Sequence, residues 1–317
     1  MNMPMTDYKI LRNIFCVAAS RGKERIIFVQ DMFKIQRDKE HFLKRSTLST
    51  PVATNSTFED FEISSMFDFK QKEHIEECYK LLLITKVDIS EKDVIDIKNS
   101  DGLIDLSPCI GIYQEAMFFT SYDIDEEIDY VINSNSDRPP LKHDKNMALE
   151  DKILYLTAYE TYQDRYVTQV NKPIVTAEQT ESLKKRLSLF LSPSDIVQKR
   201  GSMIVMNEDK VPYFFIDGKC DVLTDDYVYE LKFVSELKHE HFLQLACYMI
   251  AFNIKKGRLW NTKKNQMFEI IIPQQKLFME KVVTAITKGT VTKCLIGRGA
   301  KTRAERKMIA EEQLKLQ

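Results

Sequence analysis

The sequence predicts an α/β chain: a mixed sheet flanked by helices, preceded by a mostly helical region. Three observations carry this. Residues 213–223 and 227–234 are apolar runs on either side of the polar turn Thr224-Asp225-Asp226, the pattern of a β-hairpin. Segments 147–170, 176–190 and 236–253 place their apolar residues at helical spacing. Residues 258–261 and 266–272 form a second pair of strand-like runs around 262–265.

The chain has 317 residues, room for about two domains. A hydrophobic content of 44% with 29% charged residues describes a soluble globular protein. No run approaches the roughly 18 apolar residues of a membrane span, and residues 1–9 lack a signal-peptide pattern. The expectation is an intracellular protein, in cytoplasm or nucleus, with no membrane partner. A formal net charge of −1 requires any nucleic-acid partner to be met by local basic patches. The six cysteines are scattered singly, which argues against a disulfide framework, a zinc site or an iron–sulfur cluster.

In chain order, residues 8–19 read as a helix, 20–24 as a polar break and 26–29 as a short buried strand. Residues 46–57, rich in Ser and Thr, read as a linker. Ile75, Cys78, Tyr79, Leu82 and Leu83 form one apolar stripe over 70–83. Residues 104–120 read as strand, turn, and helix or strand. The acids Asp123, Asp125, Glu126, Glu127 and Asp129 suit a solvated helix face better than a metal site. The run 133–140 is the best domain boundary. Ile153, Leu156, Tyr159 and Tyr166 mark one helix, and Pro173 ends it. Thr176 with Gln179 is a capping box opening a second helix, whose exposed face carries Lys184, Lys185 and Arg186. Residues 202–206 are a strand. His241, Gln244 and Tyr248 share one face of the helix 236–253. Further cations cluster at Lys255, Lys256, Arg258, Lys263 and Lys264, and a helix opens at Pro273. The tail from Lys293 is basic, a DNA-contacting arm or a frayed helix. The expected domains are 1–35, 36–140, 141–290 and the tail 291–317.

The first hairpin concentrates charge. With Asp225-Asp226 as a two-residue loop, antiparallel pairing sets Asp221 opposite Glu230, with Cβ atoms about 5 Å apart, and Lys232 follows on the same face. Two carboxylates so close repel by up to about 1 kcal/mol. Mg²⁺, which takes oxygen ligands and often one or two carboxylates, removes that repulsion. The alternative is structural: Lys232 in an ion pair with Glu230 or Asp221, worth about 0–1 kcal/mol on a surface.

Two stretches resemble known families. Val17-Ala-Ala-Ser-Arg-Gly-Lys-Glu-Arg-Ile-Ile-Phe-Val29 is similar to the last motif of UvrD/Rep-type superfamily 1 helicases. The resemblance implies that residues 1–35 are the end of a second RecA-like domain, with Arg21 as the arginine finger on the ATP γ-phosphate. No G-x-x-x-x-G-K-[ST] loop is present, so ATPase or helicase activity is not expected from this chain alone. The chain is then a C-terminal piece of a longer helicase, a remnant of one, or the complement of a site on a helicase partner. ATP is expected only with such a helicase half.

Gly218-x-x-Asp221, Glu230-Leu-Lys232 and His241-x-x-Gln244-x-x-x-Tyr248, in that order, resemble the RecB-like branch of the PD-(D/E)XK nucleases. That resemblance implies a restriction-endonuclease-like core. It implies Mg²⁺ or Mn²⁺ on Asp221, Glu230 and the Leu231 carbonyl, and Lys232 orienting or activating the attacking water. Gln244 and Tyr248 position the DNA backbone or brace Lys232. It also implies an acid or His on an earlier helix, for which Glu178 and Glu181 are candidates outside any motif. Some relatives hold an iron–sulfur cluster; only Cys294 follows the helices here, and none is expected. Together the two resemblances imply the nuclease region of a RecB/AddA-like helicase–nuclease acting on DNA in repair, recombination or degradation. The alternatives are a catalytically silent DNA-binding or scaffold remnant, and a chain contributing only Arg21.

Overall fold

In the computed structural model of the chain, an eight-stranded mixed sheet lies between two layers of helices. The described residues are 60–68, 70–100, 102–134 and 146–298. Arg21 and the helicase-like stretch, the linker 46–57, most of the run 133–140 and the tail beyond Arg298 lie outside them.

The strands are β1 (Phe61–Glu62), β2 (Leu83–Val87), β3 (Ile196–Met206), β4 (Pro212–Leu223), β5 (Tyr227–Lys232), β6 (Lys256–Asn261), β7 (Gln266–Ile271) and β8 (Leu295–Arg298). Their order is β2-β7-β6-β5-β4-β3-β8, with β1 parallel to β4. The helices are α1 (Lys72–Tyr79), α2 (Ser107–Phe118), α3 (Ile124–Ser134), α4 (Leu149–Thr161), α5 (Arg165–Gln169), α6 (Ala177–Leu187), α7 (His239–Phe252) and α8 (Gln275–Ile286).

The centre of the sheet follows from local rules. β4 alternates buried and half-buried side chains over its length, as period-2 patterning requires. β4 turns into β5 through Asp225-Asp226, and the Thr224 N–H donates to the Tyr227 carbonyl at 2.9 Å. Val222 pairs with Tyr229 and Leu223 with Val228, the expected register. β5 then pairs parallel with β6. A parallel neighbour cannot be reached by a tight turn, so the chain crosses over, and α7 is the crossover.

The sheet separates two cores, and the crossover helix belongs to one of them. On one face α1, α7 and α8 bury Ile75, Phe242, Leu245, Phe278 and Val282 against Ile216, Val228 and Leu259. On the other, α2 and α6 bury Phe118 and Leu187 against Leu231, Trp260 and Met267. Ile110, Ile128, Ile153 and Leu183, from α2, α3, α4 and α6, complete that side. From residue 57 onward the described residues belong to one compact unit. Residues expected in a separate connecting region, 36–140, supply β1 and β2 to the same sheet as the later strands. No helix among the described residues is long and apolar enough to cross a membrane.

Several expectations are met at the level of single bonds. Thr176 Oγ1 accepts the Gln179 N–H at 3.2 Å while Gln179 Oε1 accepts the Thr176 N–H at 2.9 Å. Ile153, Leu156, Tyr159 and Tyr166 are all buried, although the helix they mark breaks at Tyr162, a left-handed residue with φ of 57°. Others differ. Residues 107–118 are helix throughout. The tail begins as a strand, β8 on β3. The acidic run is only partly a solvated face: Asp123 caps α3, Asp125 takes Lys152 at 2.7 Å, and Glu127 pairs with Lys219. Arg186, expected on an exposed basic face, is 1% exposed. Its guanidinium donates to the carbonyls of Thr262 (2.5 Å), Asp93 (2.7 Å) and Lys263 (3.2 Å), tying α6 to the β6–β7 turn.

Of these, the Thr262 carbonyl is bonded in a buried setting, where loss of the guanidinium leaves it unpaired. Arg186→Met therefore destabilises the protein by roughly 3 kcal/mol, read as a lowered urea midpoint at unchanged m-value. Lys185→Met, next to it at the surface, changes stability by less than about 0.5 kcal/mol.

Candidate active site

Strands β4 and β5 pair only near their turn. The ladder runs no further than Val222–Tyr229, so Asp221 and Glu230, the next positions on that register, face a fork between parting strands. The expected cross-strand pair is therefore not a ladder pair. Asp221 Oδ2 instead accepts the Leu231 N–H at 2.6 Å. Glu230 is 1% exposed, and its Oε1 accepts from Lys232 Nζ at 2.6 Å. Its other oxygen, Oε2, is buried with no hydrogen-bond partner. An orphaned carboxylate oxygen in a protein interior costs free energy on the order of 1–3 kcal/mol.

Two groups join this site that the sequence did not single out. Glu115, on α2, is 6% exposed, and its Oε2 accepts from Gln198 Nε2 at 2.6 Å. Gln198 lies on β3 with a φ of 50°, a left-handed backbone that costs a non-glycine residue about 1–2 kcal/mol. Glu115 was hidden because its segment read equally as helix or strand. The only signal was the polar pair Gln114-Glu115 inside an apolar run. Glu178 and Glu181, the earlier candidates for a helix acid, are exposed on α6, and Glu181 pairs with Lys184 at 3.3 Å.

Asp221, Glu115, Gln198, Leu231 and Lys232 line a cleft of about 420 Å³. Glu127 and Glu160 stand on its rim. The electrostatics are those of crowded acids. Burial and the nearby Asp221 push the Glu230 carboxyl up to about 8. Burial, then Asp221, raises Glu115 well above the carboxylate range. Burial raises Asp221 too, against the opposing pull of Lys232 and the Leu231 N–H. For Lys232, burial opposes the charge, but Glu230, Asp221 and Glu115 outweigh it and raise its pKa. Glu160 is reached by solvent yet enclosed on most sides by the cleft wall; burial, then Glu127, lifts it to about 7.

Helix α7 supports the fork from behind. Tyr248 is 1% exposed; burial raises its pKa, and the Gln244 side chain pulls the other way. Tyr248 packs on Gly218, where an added Cβ would lie 2.7 Å from the Tyr248 ring and 3.0 Å from Ile63. That contact is the physical reason for glycine three residues before Asp221. Tyr248 bears on the site from beneath, close enough that Glu230, after burial, helps raise its pKa. His241 Nδ1 accepts the Lys238 N–H at 3.1 Å. Burial, then Lys232 and Lys238, lowers His241 to about 4, so it is neutral at pH 7.

Among the described residues, no group of three His, Cys, Asp or Glu side chains is arranged to enclose a metal ion by itself. Mg²⁺ does not need such a cage, since it keeps several waters and uses one or two carboxylates. The orphaned Glu230 Oε2 and the mutual repulsion of Asp221 and Glu230 fit that donor set, with the Leu231 carbonyl adjoining. No protein-family model matches the chain, and no curated protein or solved structure matches it either.

Two outcomes follow from the packing and the charge. Gly218→Ala forces Tyr248 aside and costs about 1–3 kcal/mol in chemical denaturation. Because Glu230 titrates higher folded than unfolded, its contribution is complete below the ordinary carboxylate range and is lost as pH rises to about 8. In EDTA, stability should fall between pH 5 and pH 8, and Glu230→Gln should flatten that slope. Urea unfolding of both proteins across this window checks it.

Proposed function

We propose that the chain is a divalent-metal-dependent nuclease of the PD-(D/E)XK type, in its RecB-like branch, hydrolysing phosphodiester bonds in DNA. One observation carries the reading. Asp221, Glu230 and Lys232 meet at the fork of a hairpin, and the helix bearing Gln244 and Tyr248 packs directly behind it. An antiparallel β3–β4–β5 run followed by a crossover helix and a parallel strand agrees with that type of core.

Asp221, Glu230 and the Leu231 carbonyl would hold Mg²⁺ or Mn²⁺, with Glu115 near enough to feel the charge of both carboxylates. A bound divalent ion lowers the pKa of a water and stabilises charge on the phosphate. Lys232 is a fixed cation at the cleft, and it orients the attacking water and offsets the negative charge that grows on the phosphoryl oxygens. Glu230 restrains the Lys232 ammonium, and Tyr248 packs on Gly218 of the strand that carries Asp221. Gln198 holds Glu115 in place.

The structural alternative, a simple Lys232–Glu230 ion pair, does not account for the rest of the site. It leaves Glu230 Oε2 unsatisfied, and it gives no reason for a buried Glu115 and a half-buried Asp221 to stand nearby. A structural site would more readily pair each acid or replace it with an apolar residue. The motor implied by residues 17–29 would be a partner in the same proposal: a RecB/AddA-like helicase activity supplied by other sequence, with Arg21 as its arginine finger.

The test is cleavage of labelled DNA with Mg²⁺ against EDTA. Lys232→Ala and Asp221→Ala should each lower the rate by about a hundredfold or more while the circular dichroism spectrum is unchanged. No metal-dependent cleavage, or equal cleavage by the variants, overturns the proposal in favour of a silent DNA-binding module.

A further inference from the structure

Beside the cleft, β3 and β4 carry a pair of cations in an arrangement that folding alone disfavours. Arg200 and Lys219 are direct partners in the β3–β4 register. Like charges directly opposite on a sheet repel. Both nevertheless lie over one aromatic ring, Tyr130 of α3, with Arg200 Cζ at 4.0 Å and Lys219 Nζ at 4.4 Å from its centroid. Lys219 is largely buried and is answered by Glu127, which also lines the cleft. Arg200 is exposed, and Tyr130 keeps 40% of its surface. Lys219 and Asp221 are two residues apart on one strand, a rise of roughly 7 Å, and both turn to the side of α2 and α3.

From this we infer that Tyr130, Arg200 and Lys219 form a strand-binding platform that leads single-stranded nucleic acid into the cleft, deepening the nuclease reading on which the inference rests. A cationic track with an exposed ring is the chemistry by which proteins hold an unpaired strand. Arg200, the exposed cation, takes a phosphate, while Lys219, held by Glu127, anchors the ring. The ring and the guanidinium stacked on it offer flat faces to a base. In a duplex those base faces are already stacked inside the helix, so the platform selects for an unpaired strand. A cleft of about 420 Å³ is on the scale of small-ligand pockets, suited to one nucleotide at a time. These residues are positioning residues: none touches the fork itself, and Lys219 is joined to its rim through Glu127.

Fluorescence anisotropy in EDTA separates this from cleavage. The probes are a labelled single-stranded DNA oligonucleotide of mixed sequence and the same strand annealed into a duplex. The wild type should prefer the single strand. Tyr130→Ala should weaken single-strand binding about tenfold, with little change for duplex. Arg200→Gln should weaken it and reduce the slope of log affinity against log salt by about 0.7, and Arg200→Lys should keep that slope. Arg200 and Tyr130 are partly exposed, so matching thermal melts establish that each variant is folded. Wild-type affinity in both Tyr130→Ala and Arg200→Gln overturns the inference, as does an absence of strand preference in the wild type. Binding defects in these variants without any Mg²⁺-dependent cleavage by the wild type would keep the platform and remove the nuclease. Normal binding by them alongside cleavage lost in Lys232→Ala would do the reverse.

Discussion

Glu230 has to be buried beside a second carboxylate, and most of the surrounding architecture bears on that burial. Removing a carboxylate from water is costly unless it is paired or protonated. Here one oxygen has Lys232 and the other has nothing. The carboxyl responds by titrating near 8, and Asp221 and Glu115 rise with it. The sheet can hold this charge because the cost is met by the two cores above and below it. Large buried side chains contribute roughly 1.5–3 kcal/mol each, and Trp260, Phe278, Leu245 and Leu259 are all fully buried.

The geometry that creates the site is the opening of one ladder. Had β4 and β5 continued to pair, Asp221 and Glu230 would be fixed on a closed surface. They part after Val222–Tyr229, and the backbone N–H of Leu231 is met by a side chain rather than by a strand. The fork is then walled by α2, which brings Glu115, and by the strained Gln198 on β3. Local strain of this kind persists where surrounding structure over-determines it, and it clusters at functional positions. On the other side, the parallel β5–β6 pairing obliges α7 to cross behind the fork, and Gly218 makes room for Tyr248 there.

Charge elsewhere on this unit is mostly committed. Lys256 and Arg258 approach Glu269 at 3.9 and 3.5 Å, and Lys263 approaches Asp96 at 3.9 Å. Arg186 is spent on carbonyls of the β6–β7 turn and Asp93. Several cations of the basic clusters, Arg186, Arg258 and Lys263 among them, therefore have structural partners. Over Tyr130, Lys219 is likewise committed to Glu127, but Arg200, set opposite it and next to the cleft, is exposed.

What the sequence determined by itself is whatever depends on neighbours a few residues away. The Asp225-Asp226 turn and the register it imposes, the Thr176–Gln179 capping box, and the burial of Ile153, Leu156 and Tyr159 were all readable there. Each is a matter of hydrogen-bond geometry or periodicity within one or two elements. The motif order from Gly218 to Tyr248 was equally visible. Tertiary structure alone decided that Glu115, some hundred residues upstream of Asp221, completes the acid cluster, and that Arg186 points inward. It also decided that β1, β2 and β8 extend the sheet, and that β4 and β5 part where they do. The physical reason is common to all of these. They depend on which distant groups arrive to satisfy a charge, a carbonyl or a strand edge, and nothing in the local sequence encodes the arrival.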